Sequence, residues 1–209
     1  MDNALLTPLR AADYQALRDL RRVLVVEAKT LGPYLPAARL FLKEALLQAE
    51  AIGAQDPDAA RALLSFARGV SYNIGADTWP GWADGTEIDA AAQSLGAAAA
   101  ALCLELSERL HEEADRRANA HWLIGAHALA EGDLSAAKAA FERFSALASQ
   151  TENQLLGAGY LALVNLVGGE PEARARLRAI RSRMAEISSE PWLVRQLTSA
   201  ENVFAPHAA

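Results

Sequence analysis

Residues 119–149 read NAHWLIGAHALAEGDLSAAKAAFERFSALAS, and this stretch decides the fold. Two apolar-periodic segments flank Glu131-Gly132-Asp133, a turn that ends one helix and starts the next. Glycine takes the left-handed conformation that a helix end needs, and aspartate caps the N-terminus that follows. Within the first segment Gly125 costs helix stability, so its use is the close approach of a neighbouring helix. Ala137 and Phe141, one turn apart, set a small and a large residue on one face of the second segment. The unit is therefore a helical hairpin with one packed side.

These residues resemble a tetratricopeptide repeat. The repeat pattern W-x2-L-G-x2-Y…A-x3-F…P is met here by His121, Ile124-Gly125, Ala128, Ala137, Phe141 and Ser149. The Gly-Asp turn, the Ala and the Phe agree with the pattern. The leading Trp, the Tyr and the closing Pro are replaced, and Trp122 stands one residue late. A shift of 36 residues carries Gly132, Ala137 and Phe141 onto Gly168, Ala173 and Leu177, and Ile124 onto Tyr160. That period is close to the roughly 34 residues of such repeats. The resemblance covers residues 119–184 and implies a scaffold without catalytic activity. It implies that the first helix of each hairpin lines a groove for an extended peptide or a partner helix. Here that groove would be apolar, lined by Asn119, Trp122, Leu123, Ala126 and Leu129.

Working outward, the composition favours helix almost throughout. Hydrophobic residues make up 52% of the 209 residues, much of it Ala and Leu, while β-branched residues are sparse. The reading is a single all-α domain of antiparallel hairpins stacked as a short tetratricopeptide-like superhelix of about eight to nine helices. Thr7-Pro8 opens a first helix expected to reach Leu31, with Leu17, Leu20, Leu24 and Ala28 on its inner face and Arg18, Arg21 and Arg22 largely off it. Pro36 opens a second, with Leu40, Phe41 and Leu47 as its buried stripe. Asp56-Pro57 caps a third, from about 58 to 76, whose Ala62, Phe66, Gly69 and Asn73 share a face. An Ala-rich helix is expected over 87–114, capped by Thr86 and Asp89. A last helix over 191–202, carrying Trp192 and Leu193, covers the open end.

A net charge of −6 argues against a nucleic-acid surface spread over the molecule. The N-terminus lacks the basic start and apolar core of a signal peptide. The longest uncharged stretches, 90–104 and 153–169, fall short of a membrane span. A cytoplasmic protein, bound to neither membrane nor nucleic acid, is the expectation. Cys103 is the sole cysteine and reads as a buried small hydrophobe rather than a catalytic thiol.

Three features invite chemistry. His111-Glu112-Glu113-Ala114-Asp115, with His121 beyond, has the outline of a zinc-binding helix but lacks the second His, so no metal is expected. Five arginines between Arg174 and Arg183 read as a solvated helix face, with an anion-binding patch as the sharper alternative. The stretch from Asp77 to Thr86 holds Trp79-Pro80-Gly81-Trp82, a long connection by the standard of helical repeats. Its tryptophans either plug the bundle or form a contact surface. A second functional reading is thus a small-molecule binder or enzyme, its pocket under this loop using Tyr72, Asn73, Asp77, Trp79 and Trp82. A third is a homo-oligomer formed through the apolar groove at Trp122. No Gly-rich phosphate loop or nucleophile elbow occurs, so no cofactor is expected.

Overall fold

A computed structural model describes residues 9–187 and 191–206. Among them the chain is all-helical and without strands. The order is α1 (Ala11–Arg21), a π-helical turn (Arg22–Glu27), α2 (Tyr34–Ile52), α3 (Pro57–Asp77), a 3-10 turn (Pro80–Trp82), α4 (Ala90–Arg109), α5 (Ala114–Glu131), α6 (Leu134–Leu147), α7 (Thr151–Val167), α8 (Ala173–Ile187) and α9 (Pro191–Phe204). From α2 to α8 each helix packs on its predecessor, giving hairpins stacked in chain order.

The central hairpin forms as its residues dictate. Gly132 adopts φ +80° at the end of α5, and the Asp133 carboxylate accepts from the Ala136 N–H at 2.9 Å. Ala137 and Phe141 are fully buried, as are Ala173 and Leu177 in α8. A Cβ at Gly125 would stand 2.7 Å from the Phe141 ring, so the missing side chain is what seats that ring on α5. Gly168 ends α7, but the left-handed residue there is Gly169, with φ +84°.

Asp56 caps α3 through the Ala59 N–H at 2.9 Å, with Pro57 in the first turn. In front of α4 the cap is Asp89 itself, accepting from Ala92 at 2.7 Å. That helix therefore starts later than the expected pair of Thr86 and Asp89 would place it. It is long and apolar enough to cross a membrane by length and composition, and it packs between α3 and α5.

Two stretches depart from the simple periodic reading. The first helix does not run regularly to Leu31: after Arg21 it widens, the Ala28 N–H reaches back to the Val23 carbonyl, and Lys29 turns left-handed at φ +54°. The wider i→i+5 winding rotates the inner stripe. Leu17 and Val25 are buried, whereas Leu20 and Ala28 are exposed and Leu24 is half-buried. Thr7 and Pro8, expected to open this helix, lie outside the described residues. In α2 the buried stripe is Tyr34, Ala38, Phe41, Ala45 and Ala49. Leu40 and Leu47, expected in that stripe, are 69% and 51% exposed on the opposite side. The alanines explain the inversion, since they let α3 approach closely and bury α2 without its largest side chains.

Candidate functional site

The tryptophan loop folds back into the bundle. Trp79 is fully buried, and its indole N–H donates to the Ala126 carbonyl of α5 at 3.0 Å. Trp82 is half-buried and donates to the Ala76 carbonyl at 2.6 Å. Trp79 meets Trp82 at 5.0 Å, Trp122 at 5.3 Å, Tyr160 at 6.0 Å and Phe204 at 6.1 Å, the first three in edge-on geometries. Tyr160 stacks on Phe141 at 4.6 Å and accepts from the Gln196 amide at 2.8 Å. Burial drives the Tyr160 hydroxyl pKa upward, so it remains a neutral phenol. Six aromatic residues from the α3–α4 connection, α5, α6, α7 and α9 thus share one aromatic core.

That core occupies the place where sequence reasoning sets a peptide groove. Trp122, Leu123, Ala126 and Leu129 are all buried, and of the five groove residues only Asn119 is exposed. The apolar side of α5 is filled by this chain's own Trp79, Phe141 and Tyr160, and a two-fold contact through Trp122 has no surface to form on.

The other loop residues point to a different place. Asp77 is buried and receives both forks of Arg21, at 2.5 and 2.6 Å, a bidentate ion pair joining α3 to α1. Burial raises the Asp77 carboxyl pKa, and the Arg21 guanidinium opposes that rise. Beyond this pair Tyr72 and Asn73 border a polar cleft between α1 and α3 of about 530 Å³. Arg18, Arg21 and Arg22 line it from one side and Arg68 from the other. Tyr14 closes one end, stacked on Phe66 at 4.9 Å with its hydroxyl over Gly69. The structure therefore separates the residues once grouped under the loop: Tyr72 and Asn73 line an open cleft, Asp77 braces its wall, and Trp79 and Trp82 belong to the aromatic core. Sequence reasoning missed Arg18, Arg22 and Arg68 as cleft residues. Their only sequence signal is that the first two lie off the apolar face.

The remaining candidates are absorbed by structure. α4 ends at Arg109 and His111 is left-handed at φ +53°, so His111 and Asp115 do not share a helix turn. Asp115 instead accepts from the Ser149 N–H at 2.8 Å and its hydroxyl at 2.5 Å, which lowers the Asp115 pKa. Glu112 pairs with Arg68 at 3.3 Å and Arg116 at 2.8 Å. Among the described residues no group of His, Cys, Asp and Glu is arranged to hold a metal ion. On α8, Arg174 and Arg181 converge on the buried Glu201 at 3.0 and 2.6 Å, while Arg176 pairs with Glu170 and Arg183 with Glu186. The arginine face is thereby largely tied down. Cys103 is fully buried, and burial pushes its thiol up to about 11, the behaviour of a structural cysteine.

No family model, no curated protein and no solved structure matches this chain.

Proposed function

We propose that this chain is a non-catalytic, tetratricopeptide-like scaffold that binds a protein partner. The contact face in this reading is the outer side of α1 and α2. One observation carries it: large apolar side chains are left in solvent over the N-terminal quarter, namely Leu20, Val23, Leu40 and Leu47. Leu40 and Leu47 stand two helical turns apart on α2, directly opposite the core stripe. Helix-on-groove recognition uses anchors at that spacing. Scattered surface leucines need no explanation, whereas a row of them on one terminal hairpin marks a contact surface or an open repeat end. A scaffold reading also suits the interior, where the tyrosines and cysteine with shifted pKa values are pushed away from reactivity by burial rather than poised for it.

The test is a Leu40→Glu/Leu47→Glu double variant used beside the wild type as bait in quantitative affinity capture. Both positions are exposed, so the melting temperature should stay within about 2 °C of wild type. Partners held by the wild type should be lost, each truncated anchor removing about 1–2 kcal/mol of binding. An unchanged set of partners on a folded double variant would refute this face as the contact surface.

A further inference from the structure

We infer that the cleft between α1 and α3 is a binding site for a small oxyanion carrying two or more negative charges, a phosphate or a polycarboxylate. The charge arrangement is the first argument. The chain carries −6 overall, yet four arginines line one cleft of about 530 Å³, with Asp19 as the only carboxylate in its lining among the described residues. Arg18 and Arg22 stand at i and i+4 on one side, and Arg68 and Tyr72 at i and i+4 on the other, so guanidiniums are presented from two walls. That spacing brings planar donor forks to bear on one small volume, the geometry by which arginine recognises phosphate and carboxylate groups.

The second argument is which of these cations is committed elsewhere. Arg21 spends its fork on Asp77, behind the cleft. Arg22 pairs with Glu27 at 2.8 Å in solvent, where such pairs exchange readily for another anion. Among the described residues Arg18 has no carboxylate within ion-pair distance, and its guanidinium rests 5.9 Å over the Tyr14 ring. Arg68 pairs through its buried Nε with Glu112 Oε1 at 3.3 Å, so it adds positive charge to the cleft wall rather than a free fork. An anion entering the cleft would therefore meet Arg18, which has no carboxylate partner among the described residues, and Arg22, whose partner is exchangeable, together with the Asn73 amide.

The third argument is that the cleft is built. A Cβ at residue 69 would stand 2.5 Å from the Tyr14 hydroxyl, so Gly69 is what admits this phenol to the end of the cleft. Stacking on Phe66 and contact with Phe41 hold the ring in place. The π-helical turn begins at Arg22, on the cleft's rim, and such turns recur at functional sites. The volume and concavity suit a small molecule rather than a flat macromolecular face.

The test is isothermal titration of the full chain with sodium pyrophosphate, inorganic phosphate and citrate, each at ionic strength matched with sodium chloride. At least one should bind with one-to-one stoichiometry and a Kd below about 1 mM. Pyrophosphate binding more tightly than citrate assigns a phosphate ligand, and the reverse order a carboxylate one. Arg18→Glu, at an exposed position, should weaken binding by at least about tenfold while leaving the melting temperature of the unliganded protein unchanged. Arg22→Ala should weaken it less, and Arg178→Glu, an exposed arginine of α8, should leave it unchanged. No heat beyond the sodium chloride control for all three anions would overturn the site. So would equal losses in Arg18→Glu and Arg178→Glu, which would mark mere charge attraction. The Leu40→Glu/Leu47→Glu variant should bind the anion as wild type does, so this site and the proposed protein contact fail independently.

Discussion

Replacing Trp79 by Ala tests the aromatic core directly. The side chain is fully buried, and a Trp of that kind removes about 150–250 Å² from water, worth about 4–6 kcal/mol at 25 cal/mol per Å². Losing its N–H also removes the second hydrogen bond to the Ala126 carbonyl, which keeps its partner within α5, and this adds about 0.5–1.5 kcal/mol. Partial collapse of the Pro80–Trp82 turn into the space returns some of this, so a net loss of about 4 kcal/mol is expected, within the range for buried aromatics. In a chain of this size that is a fall of about 8–16 °C in Tm. Trp82→Ala, at a half-buried position beside solvent, should cost about 1–2 kcal/mol. Trp79→Phe keeps the ring contacts and removes only the hydrogen bond, so it should fall between wild type and Trp79→Ala. Urea unfolding followed by far-UV circular dichroism measures all three without relying on indole fluorescence, which the substitutions themselves alter. If Trp79→Ala cost less than about 1 kcal/mol, or Trp82→Ala cost as much as Trp79→Ala, the assignment of Trp79 as the keystone would be wrong.

Two further outcomes follow from the α3–α4–α5 contact. Gly96→Ala should destabilise by about 2–3 kcal/mol despite a gain of about 1 kcal/mol in helix propensity. The added Cβ would stand 2.0 Å from the buried Thr78 hydroxyl and 2.5 Å from His127 Cε1; a melting temperature equal to or above wild type would contradict the packing described. His127 is buried and its Nε2–H donates to the Gly75 carbonyl at 2.9 Å; burial holds its pKa below the ordinary value. The folded state therefore keeps the imidazole neutral while the unfolded chain takes up a proton below about pH 6.5. Its contribution to stability is complete above that pH and is lost as pH falls toward the depressed folded value, and His121, shifted the same way, adds to the slope. Urea midpoints at pH 7.5, 6 and 5 should fall in wild type and fall less in His127→Gln; identical slopes would remove His127 as the cause.

Much of this architecture is legible because helix ends are written in local chemistry. Asp56-Pro57, Asp133 and the Gly132 turn act over three or four residues, so their reading needs no knowledge of the rest of the chain. The inner face of α2 was not legible for a related reason. Alanine contributes little to an apolar stripe, so periodicity points to Leu40 and Leu47, while close helix packing selects Ala38, Ala45 and Ala49. The π turn hides equally well, because a change in winding shifts which residue is inward without changing composition. The cleft depends on contacts across about fifty positions: Arg21 finds Asp77, and Arg18 and Arg22 come to face Arg68 only when α1 lies over α3. No local pattern encodes that meeting. The tryptophan loop was visible as an anomaly, and its resolution needed the partners from α5, α7 and α9.

Those partners change what kind of helical stack this is. In an open solenoid each hairpin touches only its neighbours, and stability is a sum of local terms. Here the turn after α3 packs against α9 at the far end of the sequence, with Trp79 in ring contact with Phe204 and hydrogen-bonded to α5. The middle of the stack is thus tied to α9 through one aromatic core, while a second core, from Leu17 to Leu110, holds α1–α4 together. Gly75, Gly96 and His127 join the two at a point where the missing glycine side chains let Leu123, Thr78 and His127 pack directly on the α3 and α4 backbones. Closure of this kind removes the inner surface that an open repeat would offer. It leaves recognition to what stays outside: the arginine-lined cleft and the leucines of the terminal hairpin. It also couples the cores, so wild type and Trp79→Ala alike should unfold in one transition, with denaturation curves that coincide by near- and far-UV circular dichroism.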